Sequence, residues 1–196
     1  MRIVSGKHRG RKLAAGADAA VRPTADRARE GLFNMLVHGL GDAAVAIEGA
    51  VVLDVFAGSG ALGLEALSRG AAHATFIENE RTAVELIRAN ARLLNEQART
   101  TILTRDALKL GPPPAAGPAA IAFFDPPYRK GLAAPALAVA AAAGWLADGA
   151  IVVLECAADE TVAAPAGFAL LKERRYGAAR IAIFVYRAAA FAARAG

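Results

Sequence analysis

A short apolar run that passes directly into a glycine-rich turn, and then into a helix, limits the folds open to this chain. Residues 51–56 have the apolar continuity of a strand that is buried on both faces of a sheet. The turn that follows contains Gly58 and Gly60, and the helical pattern of residues 61–69 ends at Gly70. A strand, a tight turn and a helix in this order begin a β-α-β unit, so the segment predicts a parallel sheet.

The same alternation of strands and helices continues along the chain. Further strands are predicted at about residues 74–77, 101–103, 120–124 and 150–154. The segments 169–176 and 180–186 flank Gly177 and predict an antiparallel hairpin. We therefore expect a doubly wound, Rossmann-like α/β sheet that is mostly parallel. Ligands of such sheets bind beyond the carboxyl ends of the strands.

The N-terminal part of the chain differs from the rest in charge. Residues 1–29 contain eight Lys or Arg and two Asp, whereas the remainder contains fifteen Lys or Arg and sixteen Asp or Glu. The pattern predicts a small hairpin, followed by a helix with Thr24 as its N-cap. We divide the chain into a basic N-terminal arm and helix (1–42), a main α/β domain (43–190) and a tail (191–196).

The basic residues of the arm predict contact with a polyanion such as a nucleic acid. They are Arg2, Lys7, Arg9, Arg11, Lys12, Arg22, Arg27 and Arg29. We expect Arg27 and Arg29 in the first turn of the helix, where the macrodipole favours acids, so an anion is expected nearby. The alternative interpretation of these charges is a solvated chain terminus.

Bulk composition narrows the class of protein further. Of the 196 residues 56% are hydrophobic, but many of these are alanine, and no apolar run is long enough to cross a bilayer. The N-terminal residues lack the pattern of a signal peptide. The single cysteine, Cys156, excludes an internal disulfide and a cysteine-rich zinc site. We expect a cytoplasmic protein with no metal and no membrane contact, and we expect a monomer.

Acidic side chains lie at or just beyond the carboxyl ends of four predicted parallel strands. They are Asp54, Glu78, Asp106 and Asp125. The glycine turn also fits G-x-G-x-x-G, and with Glu78 twenty residues after Gly58 it would suit a dinucleotide. Asp54 argues against this, because a carboxylate at that strand end repels a pyrophosphate and attracts ammonium and sulfonium charges. S-adenosylmethionine (SAM) carries both of these cations.

These observations predict a SAM site at the edge of the sheet. We place the cofactor at Asp54, Phe56, Gly58, Gly60, Glu78 and Asp106. The Glu78 carboxylate can accept from both ribose hydroxyls, and Asp106 can accept from the adenine amine. For Asp106 taken alone a helix N-cap is the commoner role. A tight turn without a ligand is the alternative for the glycines.

The fourth strand ends in Asp125-Pro126-Pro127-Tyr128, which we predict to be the catalytic residues. Two consecutive prolines make a stiff loop without backbone donors. Carboxylate and carbonyl oxygens suit an exocyclic amine, and the ring of Tyr128 suits the face of an unstacked nucleobase. Hydrogen bonds to Asp125 and the Pro126 carbonyl should favour a pyramidal nitrogen whose lone pair is available. The tetrapeptide alone is equally compatible with an incidental surface turn.

Four stretches of this chain resemble the RsmD family of bacterial methyltransferases, over nearly the full length. They are residues 2–11, 22–34, 53–71 and 125–128. The resemblance implies that a methyl group passes from SAM to N2 of a guanine in small-subunit (16S) ribosomal RNA. It implies ribosomal RNA or the assembling small subunit as the partner. Ser5 and Glu80 depart from the residues expected of the family, Gly and Asp respectively.

Three other functions are compatible with parts of the pattern. An adenine-N6 methyltransferase of DNA or RNA uses the same Asp-Pro-Pro-Tyr chemistry, but the absence of a large target-recognition insert favours RNA. A methyltransferase of protein glutamine would carry Asn where Asp125 stands. A non-catalytic RNA-binding assembly factor could retain a SAM fold, although the intact acids at four strand ends argue against it.

Overall fold

The structure is a computed structural model that describes residues 1–16 and 23–188, with the backbone alone described for residues 23–25. The predicted RNA contact Arg22 and the predicted tail over residues 191–196 lie outside this range. The end of the predicted main domain, at residue 190, also lies outside it.

In the described residues seven strands form one sheet. They are β1 (Val51–Val55), β2 (His73–Glu78), β3 (Thr100–Thr104), β4 (Ala119–Phe124), β5 (Leu146–Ala157), β6 (Phe168–Tyr176) and β7 (Ala179–Tyr186). Their order is β3-β2-β1-β4-β5-β7-β6. The first five strands are parallel, and β7 pairs antiparallel with both β5 and β6. The predicted fold class is therefore confirmed. β5 is longer than predicted and includes Glu155 and Cys156.

Helices pack on both faces of this sheet. They are α1 (Pro23–His38), α2 (Ala61–Ser68), α3 (Arg81–Leu93) and α4 (Ala133–Ala142). The first three share a core that includes Phe33, Leu64 and Ile87. α4 covers the opposite face, where Leu137 and Trp145 are buried. No described helix has the length and apolar character that crossing a membrane would require.

Helix boundaries follow local chemistry. α3 begins where the Glu80 carboxylate accepts a 2.9 Å hydrogen bond from Ala83 N, which satisfies an otherwise unpaired donor. α1 begins at Pro23, where a missing N–H costs nothing and φ already suits a helix. Thr24 therefore lies inside α1, and its predicted role as the N-cap is wrong.

The N-terminal hairpin is held mainly by isolated backbone hydrogen bonds. Arg2 and Lys12 form one antiparallel bridge, and Ile3 N donates to Arg11 O at 2.9 Å. A single 3-10 turn, Gly6–His8, lies at its tip. The predicted hairpin is present, although its two arms do not form regular strands.

This hairpin packs against α2 and α3. Ile3 is fully buried, in the core shared with α1 and α2. The buried Glu65 carboxylate accepts from Val4 N at 2.8 Å and from Ser5 N at 3.0 Å. Buried Glu96 pairs with Lys7 at 2.6 Å. The first sixteen residues are thus fixed to the helices that follow the glycine turn and β2.

Candidate active site

The site lies where the order of the parallel strands reverses, between β1 and β4. Val55 at the end of β1 pairs with Ile77 on one side and with Phe124 on the other. Asp125 N then donates to Val55 O at 3.3 Å. Because the helices after β1 and β4 lie on opposite faces, a crevice opens at this edge, as expected of doubly wound sheets.

Two adjoining cavities occupy the crevice. The first, of about 310 Å³, is lined by the glycine turn, Asp54 and α1. The second, of about 560 Å³, is lined by Glu78 and by the loop from Asp125 to Tyr128. Phe56, Asp125 and Glu155 line both. The two cavities therefore form one groove along the carboxyl edge of the sheet.

Asp54 lies at the base of the first cavity and is 1% exposed. Its Oδ2 accepts a 2.9 Å hydrogen bond from Gly63 N in α2. Burial raises the pKa of Asp54 to about 7; the Gly63 bond partly opposes this rise, and the nearby Glu78 charge adds to it. A cationic ligand in the cavity would favour the ionised form.

The backbone of the turn adopts left-handed conformations. Phe56 has φ 61°, which is uncommon for a residue with a side chain and is typical of strain held at a functional site. Gly58 has φ 55°, and a Cβ there would meet no atom within 4 Å. Close packing therefore does not require glycine at position 58. The left-handed backbone and the position on the cavity wall favour glycine there.

Gly60 differs from Gly58 because it faces the core. A Cβ on Gly60 would lie 3.2 Å from both Phe76 and Ile87. It precedes α2 with φ 77° and is buried, and it is not among the lining residues of either cavity. The predicted cofactor residue Gly60 thus shapes the turn and does not line the groove.

Glu78 ties the turn to the end of β2. Its Oε2 accepts from Gly58 N at 2.9 Å, and its Oε1 accepts from Asn79 N at 2.8 Å and from Glu80 N at 3.0 Å. A carboxylate has about four acceptor positions, so one remains for a ligand hydroxyl. The structure places Glu78 on the wall of the second cavity, and its bond to Gly58 N brings it beside the glycine turn that lines the first.

Asp106 is not brought to either cavity. It is exposed, and its Oδ1 accepts a 2.8 Å hydrogen bond from Leu108 N in the loop after β3. The side chain closes a local turn, which is a common role for Asp. Its predicted contact with the adenine amine is therefore unsupported by the geometry.

The loop after β4 carries all four predicted catalytic residues, and all four line the second cavity. Asp125 is exposed along the groove, yet its carboxyl group is crowded by protein atoms and by other acids. Burial of the carboxyl group raises the pKa of Asp125 well above its usual value, and the negative charges of Glu155 and then Asp54 raise it further. At neutral pH this carboxyl group can therefore hold a proton for part of the time.

Tyr128 is oriented by a partner on the neighbouring strand. Its hydroxyl donates a 2.6 Å hydrogen bond to Glu155 Oε1. Burial, followed by the bond to Glu155, raises the pKa of Tyr128, so the hydroxyl keeps its proton. The residue remains 37% exposed and lines the groove. It therefore offers a flat face in a fixed position.

The end of the loop is fastened to the segment that follows β5. Arg129 N donates to Glu160 Oε2 at 3.0 Å, and the Arg129 guanidinium donates to both carboxylate oxygens of Asp159 at 3.0 Å. Arg129 has φ 58°, another left-handed residue beside the site. These contacts support a conformation that a free loop would rarely adopt.

Glu155 is a site residue that sequence reasoning missed. Phe124 pairs with Leu154, so Asp125, just after β4, lies at the same level as Glu155 within β5. The sequence does carry the signal that indicates the other site acids, an acidic residue after an apolar run. The sequence prediction assigns acids only at the first four parallel strands, and it gives Glu155 no role.

Most of the predicted nucleic-acid contacts lie on the surface. The exposed ones are Arg2, Lys7, Arg9, Arg11, Lys12 and Arg27. Some have protein partners: Arg2 Nε bonds Asp26 at 3.3 Å, and Arg11 donates to Leu93 O at 2.8 Å. These exposed residues lie on the hairpin and in the N-terminal part of α1, and we refer to them together as the basic surface.

Arg29 differs from the prediction. It is 7% exposed, its Nη2 donates to Arg2 O at 2.6 Å and to Asp26 Oδ1 at 2.7 Å, and it lines the first cavity. Asp26 occupies the first turn of α1, so the expectation of Arg27 and Arg29 there is also wrong. Arg29 is thus buried at the wall of the first cavity and is not part of the exposed basic residues.

Within residues 1–16 and 23–188 no group of three or more His, Cys, Asp or Glu side chains is arranged to hold a metal ion.

The strand order, the glycine turn with Asp54 and the loop after β4 define the class of protein. It is a SAM-dependent methyltransferase with a Rossmann-like fold. Residues 1–185 match the family model described as "Conserved hypothetical protein 95". The chain belongs to this family, the RsmD family that its sequence resembles.

Individual relatives agree with this assignment. "Ribosomal RNA small subunit methyltransferase D" of Escherichia coli (strain K12) is 39% identical over 186 residues, which cover 90% of this chain and 85% of that protein. The Haemophilus influenzae protein of the same name is 35% identical, and the match covers 90% of this chain and 89% of that protein. The solved structure of yhhF from Escherichia coli superposes with a TM-score of 0.80 at 36% identity, covering 96% of this chain and 98% of that one.

Proposed function

We propose that this protein transfers a methyl group from SAM to the exocyclic N2 amine of a guanine in small-subunit ribosomal RNA. The observation that carries the proposal is the position of Asp125. This residue lines both the cavity over the glycine turn and the cavity beside Tyr128. A cofactor held at the first cavity and a base held at the second would therefore meet at this residue.

The residues of the first cavity fit SAM. Asp54 provides a buried carboxylate for a cationic group, and Gly58 leaves open space where a side chain would project. Glu78 retains an acceptor position for a ribose hydroxyl at the junction with the second cavity. When bound, SAM supplies an electrophilic methyl group on a sulfonium centre. The proposed cofactor residues are accordingly Asp54, Phe56, Gly58 and Glu78, with Gly60 shaping the turn.

The loop after β4 suits an exocyclic amine. The Asp125 carboxylate and the Pro126 carbonyl can each accept one N–H of the amine. Accepting both hydrogens favours a pyramidal nitrogen, whose lone pair is then less delocalised into the ring. The exposed ring of Tyr128 can stack on the face of a base that has left its helix. These side chains position the amine and need no strong base.

The choice of ribosomal RNA rests on the relatives from Escherichia coli and Haemophilus influenzae, which carry the name of a small-subunit ribosomal RNA methyltransferase. The choice of guanine N2 rests on the family resemblance. The basic hairpin and α1, within residues 1–42, are the proposed RNA-binding part, and they border the first cavity through Met1 and Ala28. The remaining described residues form the proposed methyltransferase domain.

Transfer of a labelled methyl group tests the proposal. The purified protein is incubated with labelled SAM and with small-subunit RNA, or assembled small subunits, from cells that lack the modification. Digestion to nucleosides should give labelled N2-methylguanosine. Asp125→Ala protein serves as the control for background transfer.

Other products would identify the alternatives. N6-methyladenosine would replace guanine by adenine as the target. Label in protein instead of RNA would indicate a protein substrate. Retained RNA binding without transfer to any RNA would favour a non-catalytic assembly factor.

A further inference from the structure

Glu155 places a third acceptor group in the groove, beside the loop that we assign to the base. It lies within β5 at the level of Asp125, because Phe124 and Leu154 are paired. It is half-buried and lines both cavities. Its Oε1 is engaged by the Tyr128 hydroxyl at 2.6 Å. The Tyr128 hydroxyl fixes the orientation of the Glu155 carboxylate, and Glu155 Oε2 is available to a ligand.

We propose that Glu155 is a specificity-determining residue that accepts the N1–H of the target guanine, while Asp125 and the Pro126 carbonyl accept from N2. This inference rests on the proposed function and adds to it the means by which guanine is chosen.

The chemistry follows from the Watson–Crick edge of guanine. N1–H and the N2 amine present three adjacent hydrogens, which three acceptors of the groove can match. Adenine and 2-aminopurine carry a lone pair at N1 in place of the hydrogen. An ionised carboxylate has acceptors only, so it would face that lone pair without a hydrogen bond. Unpaired polar groups in a partly desolvated site disfavour the wrong base strongly.

The position of Tyr128 supports a role in recognition as well as stacking. Its hydroxyl bonds Glu155 while its ring faces the groove, so the group that holds the face of the base also orients the acceptor for its edge. The nearby Asp125 and Asp54 are acids too. Three carboxyl groups, those of Asp54, Asp125 and Glu155, therefore lie along the described part of the groove. Their oxygens can accept hydrogen bonds from a base edge that carries donors.

The test compares two bases that share the reactive amine. Once nucleoside analysis has located the methylated position, an RNA oligonucleotide spanning it is made with guanine or with 2-aminopurine at that position. 2-Aminopurine keeps the exocyclic amine at C2 and lacks N1–H. The ratio of kcat/KM for the two RNAs is measured for the wild-type protein and for Glu155→Gln. Gln has nearly the same shape, and its amide can donate to an N1 lone pair.

We expect kcat/KM of the wild-type protein to be about 10- to 100-fold higher for the guanine RNA than for the 2-aminopurine RNA. This is the range that corresponds to one hydrogen bond to a charged group. Glu155→Gln should lower this ratio at least tenfold, with a measurable gain on 2-aminopurine RNA. Asp148→Asn is the matched control, since it neutralises an acid in the same strand that accepts from Ala188 N away from the groove. Its ratio should equal that of the wild-type protein.

Two outcomes overturn the inference. One is equal use of both RNAs by the wild-type protein. The other is loss of activity on guanine in Glu155→Gln without any gain on 2-aminopurine, which would indicate a merely structural role. SAM affinity and the thermal midpoint of the variant distinguish that role from misfolding. If the wild-type protein methylates no guanine at all, the proposed function itself fails instead.

Discussion

Asp54 at the end of β1 accepts, through Oδ2, a 2.9 Å hydrogen bond from the backbone N–H of Gly63 in α2. One carboxylate therefore anchors the first turn of the helix after the glycine turn and also lines the first cavity. Its burial disfavours the ionised form, and its proposed ligand requires that form. The residue is thus placed for binding at a cost to the stability of the free protein.

Replacing Asp54 by Asn should separate these two effects. The pKa of Asp54 is about 7 in the folded protein, against 3.8 for an unperturbed Asp. Above pH 4 the unfolded chain has released a proton that the folded chain still holds, so stability falls as the pH rises towards 7. Asn has no such penalty. We expect Asp54→Asn to be more stable by about 1–3 kcal/mol at pH 8, with part of the gain offset by burial of the amide.

Urea denaturation between pH 4 and pH 8 measures this effect, and the gain should shrink as the pH is lowered. Isothermal titration with SAM should show weaker binding by Asp54→Asn at pH 8. A variant that is less stable at pH 8, or one that binds SAM as tightly as the wild-type protein, would contradict this account of Asp54.

Asp125→Ala should remove catalysis and spare the cofactor. The side chain is the acceptor for the amine, and its position on the shared wall lets the first cavity keep its remaining contacts. We expect kcat to fall by about 10²–10⁴-fold, the range associated with a positioned acid or base. SAM affinity should change by no more than a few-fold. A parallel loss of SAM binding would mean that Asp125 belongs to the cofactor site.

The pH dependence of methyl transfer provides a second measurement at the same residue. The pKa of Asp125 is raised by its surroundings, by Glu155 and by Asp54. Below that pKa the carboxyl group is protonated and offers a poorer acceptor, so kcat should rise as the pH increases through the range from about 7 to 9. In Asp125→Asn any residual activity should lack this rise. A wild-type profile that is flat over the range would refute the role of an ionised Asp125.

The sheet was predictable because buried parallel strands and their acids follow simple rules. Apolar runs at residues 51–56 and 120–124 identified β1 and β4, and the alternation with helices predicted a doubly wound sheet. Asp54, Glu78 and Asp125 were predictable for the same reason, since strand ends meet at one edge. Glu155 obeys that rule as well, since it follows the apolar run at residues 150–154, but the prediction assigned acids only at the first four parallel strands.

Other features depend on contacts between residues that are distant in sequence. Nothing local predicts that Arg29 bonds the carbonyl of Arg2, or that Glu65 accepts from Val4 N sixty-one residues away. Asp106 shows that a local contact can also defeat a prediction made from the position of a residue at a strand end. An acid after a strand can close its own turn by bonding an N–H two residues on, and this local contact prevailed.

Neutralising the basic surface should weaken RNA binding without unfolding the protein. The truncation that charge alone suggests would remove the buried Ile3 and the hydrogen bonds to Glu65, so substitution of exposed side chains is the sharper test. We expect the triple variant Arg9→Gln, Lys12→Gln, Arg27→Gln to bind RNA more weakly. For each phosphate that the variant no longer neutralises, the slope of log K against log salt should become shallower by about 0.7.

Filter binding across salt concentrations measures that slope. The double variant Arg81→Gln, Arg88→Gln removes exposed charges from α3, outside the hairpin, and should leave the slope unchanged. An unchanged slope in the triple variant would reduce the basic hairpin to a solvated surface.

Gly63→Ala and Gly31→Ala should have opposite effects on stability, although each adds one methyl group to a helix. A Cβ on Gly63 would lie 2.4 Å from Cε1 of the buried Phe76, so the ring or the helix must shift. We expect a loss of about 1–3 kcal/mol, typical of overpacking. Because Gly63 N also bonds Asp54, the shift should weaken SAM binding as well.

Gly31 lies in α1, and a Cβ there would have only ordinary contact, 3.5 Å from the Tyr176 hydroxyl. Alanine should therefore stabilise that helix by about 0.5–1 kcal/mol. Thermal and urea denaturation of both variants measure the two signs, and a Gly63→Ala protein as stable as the wild type would show that α2 is not held against Phe76 as closely as we describe.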